Sequence, residues 1–337
     1  MDIELLETRS RTFRNIRSFF DSKAYLEVDT PTLASHLIPE TCLEVFKTEY
    51  VLPPDSQGRH RRKEYYLVPS PELWMKQLIA QHRRSMYQIC KCFRNGESTG
   101  ELHSPEFTML EYYTMDADYR DSIAITEELF KAVLPQDVSI ELRPPFLQIP
   151  MEEAFLQWAG FSLYDTAAQG RDAMAEKAQQ LGLPVPDFLD LGDLYNLIFV
   201  HAVEPQLPRD HPVVLMDYPA FVPCLAKNCK GKLAKERWEL YVRGIELANC
   251  YTEETDPDEV RRYFAAEGAK KQQKALIPHA IDTNYWHIFQ NRRNALGEAQ
   301  SFPACSGVAM GLDRLIMAIV GRSTIDSVLP FPMTGNQ

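Results

Sequence analysis

Two glutamates in the segment WELYVRGIELANCY have the spacing of a carboxylate pair on a β-hairpin. The adjacent residues Arg243 and Gly244 predict a two-residue turn. The register that follows from this turn pairs Val242 with Ile245, Tyr241 with Glu246, Leu240 with Leu247 and Glu239 with Ala248. Because side chains alternate between the faces of a strand, Glu239 and Glu246 would share one face. Carboxylates this close repel each other unless a cation lies between them, and such oxygen ligands suit Mg²⁺ that carries substrate phosphates. The alternative is the solvated face of an amphipathic hairpin.

A second candidate is an arginine at the end of a predicted strand. Arg94 begins the polar segment RNGE, which leads to HSPEF a few residues later. A guanidinium group makes planar, bidentate contacts with phosphate, so Arg94 is well placed to hold one. The alternative is a surface arginine in a hairpin loop.

A third candidate is the small-residue segment SGVAMGLDRL, in which Gly307, Ala309 and Gly311 alternate with larger residues. Small residues allow a ligand to approach the backbone closely. Asp313 and Arg314 then begin an apolar helix. Close packing of a helix on a strand explains the same pattern equally well.

Hydrophobic periodicity predicts the elements that must position these residues. The predicted helices cover residues 5–23, 71–81, 121–134, 258–273 and several stretches of 151–202, and the predicted strands cover 25–28, 65–68, 86–93, 107–113 and 213–216. Strands that are separated by loops and flanked by helices, without regular βαβ alternation, favour an α+β fold on an antiparallel sheet. Residues from about 121 to 205 are predicted to form a helical insertion.

Composition excludes several classes of protein. The chain has 337 residues and a net charge of −11, which disfavours broad binding to nucleic acid. Its seven cysteines are odd in number and irregularly spaced, so we expect reduced thiols rather than a disulfide framework. No leader peptide or membrane span is visible. We therefore expect one cytoplasmic domain over residues 1–337, with no role for a membrane.

The three candidate segments together resemble the three signature motifs of class II aminoacyl-tRNA synthetases. The first predicted helix and the strand before Pro31 are similar to motif 1, FRNGE…HSPEFTMLEYY to motif 2, and GVAMGLDRL to motif 3. The tripeptide SPE at Ser70, Pro71 and Glu72, together with GIELANCYTEETD, indicates the lysyl-tRNA synthetase subgroup. The resemblance spans roughly residues 5 to 325 and implies a class II synthetase catalytic domain.

Within that subgroup the chain is most similar to the elongation factor P–(R)-β-lysine ligase family, a group of truncated synthetase paralogues. Motif 1 begins near residue 5, so we expect no N-terminal OB-fold of the kind that reads an anticodon. Ala309 stands where lysyl-tRNA synthetases are expected to have glycine and the ligases alanine. The resemblance implies ATP and Mg²⁺ as cofactors, and transfer of lysine or (R)-β-lysine to a lysine ε-amine of elongation factor P.

The resemblance also implies a role for each matching residue. For ATP these residues are Arg94, Asn95, Glu97, Ser104, Glu246, Leu247, Gly311 and Arg314, with Arg94, Arg314 and Glu246 as the catalytic group. For Mg²⁺ they are Glu239 and Glu246. For the lysine-like substrate they are Ser70, Pro71, Glu72, Glu111, Tyr113, Asn249, Glu253 and Ala309. Carboxylates suit this substrate because a neutral analogue would leave them buried without a partner.

The sequence departs from the family pattern at a few positions. FRNGE contains one residue more than the usual FRNE, so the role of Glu97 depends on where a gap is placed. Ser104 replaces the usual asparagine, and Cys250 and Tyr251 replace glycine and phenylalanine. These differences affect substrate specificity rather than adenylate chemistry.

The sequence and the resemblance also predict binding partners. We expect a homodimer formed through the first helix and the strand ending at Pro31, since exposed phenylalanine and isoleucine side chains on that helix would need a partner. The alternative is that these side chains pack within the chain. Two basic segments, residues 59–63 and 227–237, are candidate contacts for an acidic acceptor, with ordinary solvated loops as the alternative. Elongation factor P is the expected acceptor and tRNA is not. Two other functions stay open: a minimal synthetase that charges tRNA, and a regulatory paralogue that binds ATP or amino acid without turnover.

Overall fold

The computed structural model describes residues 2–293 and 299–333. Its strands are β1 (Leu26–Glu27), β2 (Leu33–Ala34), β3 (Lys47–Val51), β4 (Arg62–Leu67), β5 (Met86–Phe93), β6 (Glu106–Met115), β7 (Leu147–Pro150), β8 (Val213–Pro219), β9 (Ala234–Val242), β10 (Ile245–Thr252), β11 (Arg292–Arg293), β12 (Ala299–Gln300) and β13 (Cys305–Gly311). Its α-helices are α1 (Ile3–Ser22), α2 (Glu72–His82), α3 (Tyr119–Val133), α4 (Met151–Ala154), α5 (Leu163–Ala168), α6 (Arg171–Gln180), α7 (Leu191–Ile198), α8 (Pro257–Lys274) and α9 (Leu312–Ile319). Short 3₁₀ or π turns occupy Ile140–Leu142, Phe155–Ala159, Phe199–Val203, Glu204–Gln206 and Tyr285–Phe289.

The chain divides into two compact units, one of residues up to Ala117 and from Glu254 onward, the other Asp118–Glu253. In the first unit β6 pairs antiparallel with β5 on one side and with β13 on the other, and the short β1 pairs parallel with β5. A separate three-stranded sheet has the order β2–β4–β3.

One face of the first unit's main sheet is covered by α1. Ile16 and Phe20 are fully buried, and the Phe20 ring stacks on Tyr87 of β5 at a centroid distance of 4.6 Å. Arg9 of the same helix donates to the buried Asp313 at 2.5 Å, which joins α1 to the start of α9. Ile16 and Phe20 therefore pack within this unit, as the alternative to a partner-covered helix predicts, while Ile3 at the start of α1 is 66% exposed. The homodimer itself stays a prediction.

The second unit is built on β8, β9 and β10, which pair antiparallel, with β7 added in parallel to β8. Helices α4 to α7 form a hydrophobic core with β8, in which Phe155 and Tyr195 stack at 5.6 Å. The predicted helical insertion lies within this unit, but it also contains β7.

The α+β class with a sheet flanked by helices is confirmed. The sheet pairing is antiparallel at most steps, and the parallel pairs involve the short strands β1 and β7. The basic segment 227–237 was predicted as a loop, but its last residues belong to β9.

Candidate active site

Register in the first unit brings motif 2 and motif 3 residues into rows across one face of the sheet. Gln88 on β5 lies opposite Glu111 on β6, and Glu111 lies opposite Ala309 on β13. In the adjacent row, Met109 of β6 lies opposite Gly311. Residues paired in this way point to the same side of a sheet. The small residues of β13 therefore leave space directly beside the carboxylate of Glu111.

Glu111 is the most deeply buried carboxylate of this face. It is 3% exposed, and its side chain accepts a hydrogen bond from the Tyr113 hydroxyl at 2.7 Å. Burial raises the pKa of Glu111 well above its ordinary value, and the nearby carboxylate of Glu72 raises it further. A buried acid with a raised pKa favours a cationic partner, because a nearby positive charge would stabilise the ionised form.

Glu72 begins α2, and its carboxylate accepts from the Lys76 ammonium at 2.5 Å one turn later. The Lys76 side chain is only 1% exposed. Ser70 and Pro71 lie just before the helix, where Phe93 at the end of β5 donates its backbone N–H to Val68. The SPE tripeptide is thus held next to the strand that ends at Arg94.

Arg94 follows β5, with its guanidinium carbon 5.2 Å from the centre of the Phe107 ring. Its Nε is buried and has no hydrogen-bond partner within residues 2–293 and 299–333. One terminal nitrogen lies 4.0 Å from the carboxylate of Glu97. A guanidinium whose buried Nε is an unused donor is suited to donate hydrogen bonds to a phosphate or carboxylate oxygen.

Arg314 is directed toward the motif 2 loop. Its Nε donates to the carbonyl of Leu102 at 3.0 Å. Burial and the positive charges of Arg314 and Arg94 lower the pKa of His103, which keeps its imidazole neutral near pH 7. Two arginines therefore create a positive local field around this loop, as an anionic ligand requires.

Two other residues that are predicted to bind ATP, Asn95 and Ser104, belong to the same loop. Ser104 is 5% exposed. Asn95 pairs with Glu44 through its backbone, and its side-chain amide donates to the carbonyl of Val45 at 3.3 Å. In this structure the Asn95 amide therefore supports the loop before β3.

In the second unit the carboxylate of Glu239 is already held by three donors. Arg237 donates at 2.5 Å, the Tyr218 hydroxyl at 2.6 Å and the Tyr241 hydroxyl at 2.8 Å. A magnesium ion at Glu239 would have to displace one of them. These contacts fix the Glu239 side chain against β8 and β9, and its role as a metal ligand stays a prediction.

The hairpin register differs from the expected one because of a β-bulge. The pairs Val242–Ile245 and Tyr241–Glu246 are confirmed, and the turn residues Arg243 and Gly244 both have positive φ. The register then shifts at Leu247, so that Leu240 lies opposite Ala248 and Glu239 opposite Asn249. The predicted pairs Leu240–Leu247 and Glu239–Ala248 were therefore wrong. An inserted residue changes the alternation of side chains along a strand.

The bulge decides which polar residues share the face of Glu246. Asn249 and Tyr251 lie opposite Glu239 and Arg237, on the same face as Tyr241 and Glu246. Glu253, which is 2% exposed, continues this alternation through a bridge to Ala226. Carboxylate and amide oxygens on one face are the ligands that Mg²⁺ prefers, together with phosphate. In the described part of the chain, no group of three or more His, Cys, Asp or Glu is arranged to hold a metal.

Much of the predicted basic segment 227–237 has an internal role. Lys232 donates to the buried Asp217 at 2.9 Å, Lys235 to the carbonyl of Ala226 at 2.9 Å, and Arg237 to Glu239. In the other basic segment, Arg59 pairs with Asp55, and Arg62 pairs with Glu49. Neither segment is an unbroken positive patch.

Sequence reasoning missed three polar residues near Glu111 and Arg94. Lys76 had a usable signal, since it stands four residues after Glu72 on the predicted helix. Gln88 and Glu40 had none, because a polar residue in a strand or a loop is ordinarily exposed. In the structure Gln88 is 2% exposed, and Glu40 is half-buried near Glu72.

Comparison with known proteins agrees with this geometry. The family model described as tRNA synthetases class II (D, K and N) matches residues 3–335. The chain is 34% identical over 331 residues to elongation factor P–(R)-β-lysine ligase of Vibrio vulnificus, covering 98% of this chain and 96% of that one. It is 34% identical over 332 residues to the ligase of Photobacterium profundum, with the same coverage. The Vibrio cholerae ligase is also 34% identical, over 331 residues that cover 98% of this chain and 95% of that protein.

None of the helices in the described ranges combines the length and the apolar character of a membrane span. The sheet carries the three motif segments in the predicted order, and the family match covers nearly the full length of the chain. The chain belongs to the class II tRNA synthetase family of the D, K and N type, and within it to the group of the elongation factor P–(R)-β-lysine ligases.

Proposed function

We propose that this chain is an ATP-dependent ligase that activates (R)-β-lysine or lysine and transfers it to a lysine ε-amine of elongation factor P. The observation that carries the proposal is the buried carboxylate pocket of Glu111 and Glu72, in a chain that matches such ligases over 98% of its length. Acidic side chains removed from water are stabilised by a substrate that brings ammonium groups. Ala309, directly opposite Glu111, limits how far that substrate reaches along the sheet.

In the first step, a carboxylate oxygen of the amino acid attacks the α-phosphorus of ATP, and the bond to the pyrophosphate oxygen breaks. Arg94 holds the α-phosphate and the substrate carboxylate, because its Nε is buried without a partner among the described residues. Arg314 holds the phosphates that leave. The products are an aminoacyl-adenylate and pyrophosphate, and catalysis comes from positioning and charge stabilisation.

Magnesium would neutralise phosphate charge in this step when it is bound. We assign it to Glu246, which shares a face with Asn249 and Glu253. Glu239 fits the ion less well, because Arg237 and two tyrosines already occupy its oxygens. The carboxylate of Glu239 instead holds side chains of β8 and β9, next to the strand that carries Glu246.

In the second step, the neutral ε-amine of the acceptor lysine attacks the activated carbonyl carbon. An amide bond forms, AMP leaves, and the amine loses a proton. No side-chain nucleophile of this chain is required. Glu72 and Glu111 hold ammonium groups of the bound substrate, with Tyr113 fixing the orientation of Glu111. The part expected of Glu253 stays a prediction.

We further propose that the protein acts in the cytoplasm as a homodimer and that its acceptor is a protein. Most of the two basic segments is paired internally, which favours limited contacts over a long phosphate-binding surface. A minimal synthetase that charges tRNA and a regulatory paralogue without turnover are the competing functions. A monomer in light scattering would contradict the dimer.

One experiment separates these functions. The purified protein is given ATP, Mg²⁺ and either lysine or (R)-β-lysine, and pyrophosphate exchange is measured. Labelled amino acid is then offered to elongation factor P and to total tRNA in parallel. We expect exchange, followed by label on the protein acceptor. Label on tRNA alone would support the minimal synthetase, and binding without exchange would support the regulatory paralogue.

A further inference from the structure

Two cysteines of β5 lie side by side on the sheet face that carries the candidate active site. Cys90 and Cys92 are two residues apart on the strand, so both point to the same face as Gln88. Their Sγ atoms are 3.7 Å apart, and the Cys92 thiol also donates to the Sδ atom of Met109 at 3.9 Å. Met109 lies directly opposite Cys90 on β6. Three sulfur atoms are therefore grouped here, and two of them belong to reduced thiols.

The two thiols differ in their access to solvent and in their chemistry. Cys90 is half-buried, whereas Cys92 is fully buried. The hydrogen bond with Cys90, together with burial, raises the pKa of Cys92 well above its ordinary value. The thiolate is the nucleophilic form of cysteine, and an accessible thiol reacts with an oxidant more readily than a buried, protonated one. Cys90 is thus the thiol that a small oxidant reaches first, and Cys92 is the neighbour placed to react with the product.

We propose that Cys90 and Cys92 form a reversible disulfide on contact with hydrogen peroxide, and that this modification switches the enzyme off. The Cys90 sulfur attacks one peroxide oxygen, the O–O bond breaks, and the thiol proton leaves with the other oxygen as water. Cys90 is then a sulfenic acid. The Cys92 sulfur attacks the Cys90 sulfur, the S–O bond breaks, and the hydroxyl group leaves with the Cys92 proton as a second water. Two electrons pass from the sulfur atoms to the peroxide, which balances the step.

Closing this bond requires β5 to bend. Alternate residues of a strand are about 6.6 Å apart, whereas the Cβ atoms of a disulfide are about 3.5 to 4.5 Å apart. Rotation of the two side chains alone does not remove this difference, so the backbone around Lys91 must shorten by about 2 Å. A disulfide under such strain is easily reduced by a thiol, which makes the modification reversible.

The bend lies next to a residue that is proposed to hold phosphate. Arg94 is two residues after Cys92, and its guanidinium carbon is 5.2 Å from the centre of the Phe107 ring. Phe107 in turn lies directly opposite Cys92 on β6. A displacement of about 1 Å in a group that positions the substrate costs up to about 100-fold in rate. The effect on activity rests on the proposed function, whereas formation of the disulfide does not.

The sequence provides a direct assay for the bond, because Lys91 stands between the two cysteines. The purified, reduced protein is treated with hydrogen peroxide, its remaining thiols are alkylated, and the denatured chain is digested with trypsin. Cleavage after Arg84, Lys91 and Arg94 gives peptides 85–91 and 92–94, which stay joined only through a disulfide. We expect this joined species after peroxide treatment, and its loss after dithiothreitol.

Pyrophosphate exchange is measured on the same samples. We expect peroxide to lower the exchange rate of wild type at least about tenfold, and dithiothreitol to restore it. Cys92→Ala lacks the second sulfur, so its Cys90 should proceed to a sulfinic acid that dithiothreitol does not reverse. Cys42→Ser, an exposed change in the loop before β3, is the matched control and should respond as wild type does.

Two results would overturn the inference. One is that peroxide-treated wild type yields peptides 85–91 and 92–94 only as separate species. The other is that the joined species forms while the exchange rate stays unchanged, because the bond would then not act as a switch. Absent exchange by the reduced protein would instead reject the proposed function, and the joined peptides would still decide whether the disulfide forms.

Discussion

The substitution Glu40→Gln, in the loop before β3, should stabilise the free protein at alkaline pH. The pKa of Glu40 is raised from an ordinary value of 4.5 to about 7 by burial and by Glu72. A raised carboxyl pKa means that the folded protein binds a proton more tightly than the unfolded chain. The associated stability is therefore complete below the unfolded pKa and is lost as pH rises toward the folded one.

The size of the effect follows from the two pKa values. The ionised carboxylate costs the folded state about 3 kcal/mol at about pH 8, and about 2 kcal/mol of that cost develops between about pH 5 and pH 8. Glutamine has a similar shape and no charge, so it removes the dependence. We expect the free energy of unfolding of Glu40→Gln to exceed that of wild type by about 2 kcal/mol more at the higher pH than at the lower.

The assay is denaturant unfolding of the ligand-free protein at several pH values in constant salt. Glu64→Gln is the matched control, because a hydrogen bond from Lys47 lowers the pKa of Glu64 instead of raising it. Its stability contribution is complete above the unfolded pKa and is lost only in acid, so its profile should run parallel to wild type from about pH 5 upward. If plots of the free energy of unfolding against pH ran parallel for Glu40→Gln and wild type, the reasoning would be refuted.

Three further predictions test other parts of the site. Arg9→Met leaves the buried Asp313 without its cation and should lower the free energy of unfolding by about 3 kcal/mol, measured with urea; a change below about 1 kcal/mol would contradict a structural role for this pair. Glu246→Gln should lower pyrophosphate exchange at least about 100-fold with an unchanged circular dichroism spectrum, and full exchange would reject its role with magnesium. Ala309→Gly should change the ratio of kcat/KM for lysine and (R)-β-lysine by about tenfold, and an unchanged ratio would remove this residue from substrate choice.

The main elements and the order of the motifs were predictable because each has a local cause. The apolar residues of α1 recur at helical spacing, and the strand from Met86 to Phe93 ends at a polar loop that the structure also has. The turn residues Arg243 and Gly244 correctly predicted the first two residue pairs of the hairpin. These features depend on neighbours within a few residues, which is the range that a single sequence specifies well.

The features that were missed depend on partners far along the chain. Glu40 is placed by contacts from α8, more than two hundred residues later, as in the hydrogen bond from Tyr263 to Pro39. The internal roles of Lys232 and Arg237 require knowledge of Asp217 and Glu239 as neighbours. Charge runs in a sequence do not reveal whether their members are solvated or buried, since burial is decided by the fold.

The bulge at Leu247 shows why a motif can be correct while its geometry is not. Glu246 and Glu253 are seven residues apart, and in a regular strand an odd separation places two side chains on opposite faces. The register shift between Glu246 and Ala248 inserts one residue, so that both glutamates lie on one face with Asn249. A regular hairpin made Glu239 the only acidic companion of Glu246, and it was therefore assigned to magnesium. With the bulge, the acidic face extends toward Glu253, while the carboxylate of Glu239 is held by Arg237 and the two tyrosines. The spacing of this motif is thus meaningful only together with the irregularity that the strand contains.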